Sequence, residues 1–468
     1  MELAFGQDAY VSHFDAFMRH YLTTKTGDIP NIRAVYAAFK NFSFTVGGDT
    51  IEDRTRHLVE DLHTFASYYV SIALGKESNP QLKQAFHDLR ELKVDVAYPF
   101  LLDVYHDYRQ QTLDVDDVLK IVRLVESYVF RRAICSIPTN SLNKTFSGLS
   151  RSLKKDRYVE SLQAMLLLSP SYRRFPTDEE FQVQIKIRDL YNFRSRSYWL
   201  RRLENYGRKE RVRVDDYTIE HILPQNENLS QEWRAELGPD WQRIQQDWLH
   251  TIGNLTLTGY NSEYSDRPFV YKRDQALDQH GQSVGLAYSP LHLNRGFGSV
   301  QQWDEEAIKQ RAQRLADMAV KVWPAPQIEN QILDTYRTVR SKPAQDWSIN
   351  DHPYLLGGLT RDLFQALRQS ILSLDPCVSE EFLKLYVAYK AETNFVDIVP
   401  QAKRLRLSLN MPFHEVDDPE NLCKDVSGLG RWGNGDVEVG FNELSELPYI
   451  MSLIRQSFER QMSDVQET

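Results

Sequence analysis

From the start to about residue 200, apolar side chains recur at helical spacing with few glycines or prolines to interrupt them. In IEDRTRHLVEDLHTFASYYVSIAL, residues 51–74, Ile51, Leu58, Leu62, Phe65, Tyr69 and Ile72 fall near one stripe. DVLKIVRLVESYVFRRAICS, residues 117–136, reads the same way and stops before Pro138. NIRAVYAAFKNF follows TGDIP, where Asp28 fits an N-cap and Pro30 a first helical turn. No repeat of 20–50 residues is visible. Residues 1–200 are therefore expected to form a multi-helix domain.

The 468 residues leave room for further domains, and 41% hydrophobic with 26% charged residues is an ordinary globular balance. A net charge of −9 advertises no overall affinity for nucleic acid, so any such partner would need a local basic patch. Cys135, Cys377 and Cys423 are scattered and form no CxxC pair, which suits a reducing compartment. No basic-then-apolar leader opens the chain and no run approaches about 18 apolar residues. A cytoplasmic chain with no membrane partner is the expectation.

Composition shifts at residues 186–213, KIRDLYNFRSRSYWLRRLENYGRKERVR, where ten Lys or Arg meet three acids with aromatics between them. This stretch reads either as a solvated helix face or as a wall that grips phosphates, with Arg194, Arg196, Arg201 and Arg202 as its candidates. Beyond it, short strand-like runs alternate with helical ones, and EEAIKQRAQRLADMAVKVW closes a central domain at 201–323. Residues 324–351, polar with three prolines, read as a linker. Residues 352–468 then run helix (GLTRDLFQALRQSIL), helix (SEEFLKLYVAYKA), strand (NFVDIVP), strand (RLRLSLNM), a Gly-rich turn, strand (DVEVGF) and helix. The overall class is mostly α with α+β parts.

The central domain contains YTIEHILPQNE, residues 217–227, which sets a carboxylate beside an imidazole at a strand end and then turns on Pro224. Alone, Glu220 and His221 could be surface residues. Downstream, LHTIGNLTLTGYNSEYSDRPFVYKR, residues 249–273, adds Asn254 before a β-like run, Asn261 after it, and Lys272 and Arg273 on an expected helix. Carboxylate–His, Asn and Asn in this order resemble the ββα-metal, or HNH, nuclease motif. Such a site needs an imidazole to take a proton from water and a hard cation on the departing oxygen.

The resemblance implies His221 as general base, Asn254 as a group orienting it, and Glu220 and Asn261 as ligands of Mg²⁺, or Mn²⁺ in its place. It implies Lys272 and Arg273 as phosphate contacts. The chain departs from the common motif by Glu for Asp, by Asn for the final His, and by a Trp-rich insertion of about 25 residues. A narrower likeness, IEHILPQ…HTIGNLTLTGYNSEYSDRPFVYKR, is similar to the C-terminal nuclease domain of GmrSD-type, modification-dependent (type IV) restriction enzymes. ESYVFRRAICSIPTNSLNKTF, residues 126–146, resembles the helical region before that domain, and the last domain resembles an uncharacterised module fused to it.

This resemblance implies a Mg²⁺-dependent DNA endonuclease of phage defence acting on double-stranded, modified DNA, with a DNA-binding or scaffolding subunit of degenerate nuclease fold as the alternative. Neither GxxxxGK[ST] nor Asp-Gly-Gln-Gln-Arg occurs, so a ParB-like NTPase subunit or a further N-terminal domain would supply nucleotide binding. One site cuts one strand, so a homodimer, a second visit or a partner would complete a double-strand break. Other readings are plainer: His250 packs the insertion, GLGRWGNGD (428–436) forms a glycine-rich hairpin or loop, and Asp397 and Lys403 are ordinary strand residues.

Overall fold

The computed structural model describes residues 7–463 apart from 138, 140, 170–172, 338–346, 376–377, 392 and 429–434. Among these residues helices dominate, and the strands fall into one two-stranded and one six-stranded sheet. The chain divides into two compact units. One is built from Met1–His63, Ile137–Arg174 and Ile328–Thr468, the other from Thr64–Ser136 and Phe175–Gln327. The helical segment 1–200 thus contributes to both.

In the second unit, the helix Pro80–Leu92 starts where Asn79 Oδ1 accepts from the amides of Gln81 and Leu82, and ends where Lys93 turns left-handed at φ 59°. The helix Val115–Ile134 begins on an Asp114 cap and is buried on nearly every face. Its interior charges have partners. Arg123 bridges Asp88 and Glu126 at 2.6 Å each, and Arg131 reaches Asp178 at 2.6 Å. From the helix Arg196–Glu204, Arg201 bonds Asp88 at 2.5 Å and Glu91 at 2.6 Å, while Arg202 bonds Glu126 at 2.7 Å. Buried carboxylates must be neutralised or change protonation, and these arginines do the neutralising.

The helix Glu305–Val322, capped by Asp304, braces the central part of this unit. Arg311 on it is buried and donates to the carbonyls of Ile252, Gly253, Leu255 and Leu293 at 2.8–3.2 Å. The approach is closest at Gly253, where a Cβ would lie 2.6 Å from the Ile308 carbonyl oxygen and 3.1 Å from Ala312 Cβ. Gly253→Ala is expected to destabilise the protein by about 1–3 kcal/mol, read from urea unfolding.

The C-terminal part of the first unit is an antiparallel sheet. Its strands are β3 (Ser379–Phe382), β4 (Val387–Lys390), β5 (Asn394–Pro400), β6 (Leu405–Leu409), β7 (Lys424–Asp425) and β8 (Val437–Phe441), in the order β3-β4-β5-β6-β8-β7. The helices Gly358–Leu372 and Leu447–Ser463 pack on it and on each other around Leu363, Phe364, Val396, Leu407 and Leu453. SEEFLKLYVAYKA, expected as a helix, is instead the β3–β4 hairpin, closed by Leu383 N donating to Tyr386 O at 2.9 Å. Val387 and Tyr389 enter the sheet core, and Glu380 accepts from Tyr389 and Arg368. These contacts outweigh the helix propensity of Glu, Leu, Lys and Ala. The linker contains a short helix, Asn330–Tyr336, whose last tyrosine donates to Glu160 at 2.8 Å. Most of GLGRWGNGD lies outside the described residues.

Candidate active site

The opening motif lies on β1 (Thr218–His221), which pairs antiparallel with β2 (Leu255–Thr258) so that Glu220 faces Thr256 and His221 faces Leu255. The ladder runs one step further, with Ile222 N donating to Asn254 O at 3.1 Å. The chain then leaves the sheet through Leu223 and Pro224. Asn254 fixes that exit: its Oδ1 accepts from Leu223 N (2.7 Å) and Trp303 Nε1 (3.1 Å), and its Nδ2 donates to Leu223 O and Leu249 O (3.0 Å each). Every hydrogen-bonding position of the amide is used, so Asn254 is a splint for the turn after His221 rather than a group that meets substrate. Gln245 adds a second tie, donating to Pro224 O and Asn226 O.

Neighbours on a strand point to opposite faces, and the two motif residues do so. Glu220 turns inward. Lys272 Nζ lies 2.6 Å from its Oε1 and donates also to the carbonyls of His221 and Ile222 at 3.1 Å. Burial pushes the Glu220 carboxyl up to about 7 against the pull of Lys272, and burial lowers the Lys272 ammonium.

His221 turns the other way. Its Nδ1 meets the Gln225 amide nitrogen at 2.9 Å, and its Nε2 meets His250 Nδ1 at 3.0 Å. With that amide nitrogen donating, the proton of neutral His221 sits on Nε2 and is given to His250. Tyr191 stacks on His250 with centroids 5.2 Å apart and meets His221 edge-on at 4.5 Å. The Arg196 guanidinium lies 5.0 Å over the Tyr191 ring, and Leu190 N donates to His250 O at 2.9 Å.

Burial, then the neighbouring His250 and Lys272, lower the His221 pKa to about 3. An unfolded chain would hold that proton near 6.5. The stability contributed by the neutral ring is therefore complete above about pH 6.5 and is lost as pH falls toward 3. Glu220, raised from 4.5 to about 7, has the opposite sign: its contribution is present below about 4.5 and lost as pH rises through 7. Comparing His221→Gln with the parent isolates the first term. The melting temperature of the variant should fall less between about pH 6.5 and 4.5, as measured by dye-based thermal unfolding.

The remaining expected residues divide sharply. Asn261 donates from Nδ2 to Ile219 O at 3.2 Å, while its Oδ1 is buried without a hydrogen-bond partner among the described residues. The helix expected after it is a single turn, Asn261–Tyr264, broken where Ser265 adopts φ 43°, followed by a π-type turn at Tyr271–Gln275. Lys272 is fully buried on Glu220, which removes it from any phosphate-gripping surface. Arg273 is bound to Asp274 and the Val300 carbonyl. Arg201 and Arg202 are turned inward, because their helix aims them at Asp88, Glu91 and Glu126. Arg194 and Arg196 are exposed. Sequence reasoning missed Gln225 and Tyr191 and gave His250 a packing role. Their signal was slight: a glutamine just past Pro224, and a second histidine four residues before Asn254.

β1, β2, Asn261, Lys272 and His250 all fall within residues 175–318, which match the family described as GmrSD restriction endonucleases, C-terminal domain. This segment belongs to that family. The GmrSD-type segment takes in the helices Asp178–Ile187 and Arg196–Glu204 together with the two-stranded sheet. Residues 354–461 match a domain of unknown function (DUF5655). The chain is 33% identical over 169 residues to an uncharacterized protein of Haemophilus influenzae, covering 32% of this chain and 56% of that protein. It thus spans little more than half the length of that relative. No helix among the described residues is long and apolar enough to cross a membrane.

Proposed function

We propose that this chain is an HNH-type DNA endonuclease, with His221 as the base that activates water. One observation carries the reading. A neutral imidazole stands at the end of a strand, held on one nitrogen by a second imidazole and on the other, among the described residues, by an exposed glutamine. When Gln225 swings aside, His221 Nδ1 offers its lone pair to a water while Nε2–H to His250 keeps the ring oriented. Asn254 acts one step back, holding the turn that sets the ring. Tyr191 and Arg196 border the same edge, and Arg196 with Arg194 supplies exposed positive charge for a phosphate backbone.

Hydrolysis of a phosphodiester also calls for a hard cation, Mg²⁺ or Mn²⁺, which when bound neutralises charge on the phosphate and its departing oxygen. The donors such an ion would draw on are Asn261 Oδ1, a buried acceptor without a hydrogen-bond partner among the described residues, and the Glu220 oxygen not bonded to Lys272, which lies on the strand face opposite His221. Among the described residues no three His, Cys, Asp or Glu side chains gather, so a fully protein-ligated ion finds no such set there.

The family match supports a DNA substrate. Modified phage DNA as the target, a role in cytoplasmic defence, a ParB-like NTPase partner and assembly as a homodimer extend the same proposal. The test is to incubate the full chain with supercoiled plasmid and Mg²⁺ or Mn²⁺, beside His221→Ala. Nicking by the parent that disappears in the variant supports the assignment, and nicking that survives discards it. A second reading has its own observation, because the Lys272 ammonium already occupies the cationic place beside Glu220. A DNA-binding subunit without catalysis predicts binding but no nicking with either ion.

A further inference from the structure

The strand that ends in Glu220 and His221 begins at the edge of a cleft of about 480 Å³. Tyr217, Tyr260, Tyr264 and Tyr288 line it, with Arg213 and Asp216 at the same opening. Tyr264 is buried and donates its hydroxyl to Val284 O at 2.6 Å, which fixes that ring. Tyr260 and Tyr288 are 40% and 59% exposed, and among the described residues neither they nor Tyr217 stack on another ring. Arg213 and Asp216 are exposed and form no ion pair among the described residues. The volume lies in the range of small-ligand sites.

Several flat aromatic faces, one cation and one carboxylate make a specific chemical offer. Tyrosine faces stack on any base, a guanidinium meets a phosphate, and a carboxylate accepts from an exocyclic amino group. Tyr217 and His221 are four residues apart on one extended run, roughly 13 Å at about 3.3 Å per residue. At about 3.4 Å per stacked nucleotide, that is about four nucleotides. In a paired duplex the base faces are covered by their neighbours, so an occupant that stacks on these rings must be unpaired.

We propose that this cleft receives an unpaired nucleobase from the strand held at His221, an inference that rests on the nuclease reading of that site. The position for a blocking side chain is at hand. A Cβ on Gly259 would meet nothing within 4 Å, so the backbone there accepts a side chain and Gly259→Trp places a large ring at the cleft.

The test uses the full chain in the His221→Ala background with EDTA, so that cleavage does not enter. Fluorescence anisotropy measures binding of a labelled single strand of about 20 nucleotides, the matching duplex, and that duplex with one bulged base. Gly259→Trp and the double variant Tyr260→Ala/Tyr288→Ala should each weaken binding to the single strand and the bulged duplex about tenfold or more. Binding to the fully paired duplex should stay within about twofold. Unchanged single-strand binding in both variants overturns the proposal, as does an equal loss on all three probes or no DNA binding at all. Base binding that responds to the variants in a chain that never nicks plasmid would leave the cleft standing and remove only the nuclease reading.

Discussion

Alanine in place of His221 is expected to lower plasmid nicking by roughly 10²–10⁴-fold, the usual worth of a positioned general base. The ring is 4% exposed and its polar and aromatic contacts among the described residues are His250, Gln225 and Tyr191, so its loss vacates a small space at the strand end without unpairing the sheet. Far-UV circular dichroism of the variant should match that of the parent, while its urea midpoint should fall modestly because a buried ring is truncated. His250→Ala supplies the contrast. It removes the acceptor that orients His221 but not the base, so the loss should be smaller, about tenfold, and confined to turnover rather than DNA affinity. If the two variants lost equal activity, or if His221→Ala nicked at the parent rate, the assignment of the base to His221 would be wrong.

Lys272→Met is expected to be the more damaging change to the fold, at about 3–5 kcal/mol near pH 8, because it leaves the Glu220 carboxylate buried without its counter-charge. Burial already pushes that carboxyl up to about 7. In the variant the group escapes the penalty by taking a proton, so the cost should shrink near pH 5, where protonation is easy. The double variant Glu220→Gln/Lys272→Met should recover most of the lost stability, since both charges are gone. Urea unfolding of the three proteins at the two pH values measures each outcome, and a Lys272→Met protein as stable as the parent at pH 8 would refute the pairing. The same variant reports on cation binding. With the ammonium removed, Mg²⁺ or Mn²⁺ should raise its melting temperature more than that of the parent.

The long helices were legible because one face of each is apolar over many turns. The stripe from Ile51 to Ile72 lies on the helix Ile51–Ala73, and the pattern beginning at Asp117 lies within Val115–Ile134. The family of the central segment was also legible, through residues clustered within a short span. The arginine stretch was not, because charge carries no direction. Arg194 and Arg196 sit before or at the start of their helix and face out, whereas Arg201 and Arg202 lie a turn or more further on and face acids far away in sequence. Lys272 misled for the same reason: next to Arg273 it looks like a surface cation, and only the fold brings Glu220 to it. The β3–β4 hairpin was hidden by residues whose local preference is helical.

The ion pairs joining Arg201 and Arg202 to Asp88, Glu91 and Glu126 mean that likeness and self-sufficiency draw different borders on this chain. A fragment cut at residue 175 would keep both guanidinium groups and discard every acid that balances them, along with the Arg131 that anchors Asp178. Recombination that transplants only the recognisable segment would carry off a stranded block of positive charge. The heritable module is larger than its signature, and begins with the helices that hold those acids.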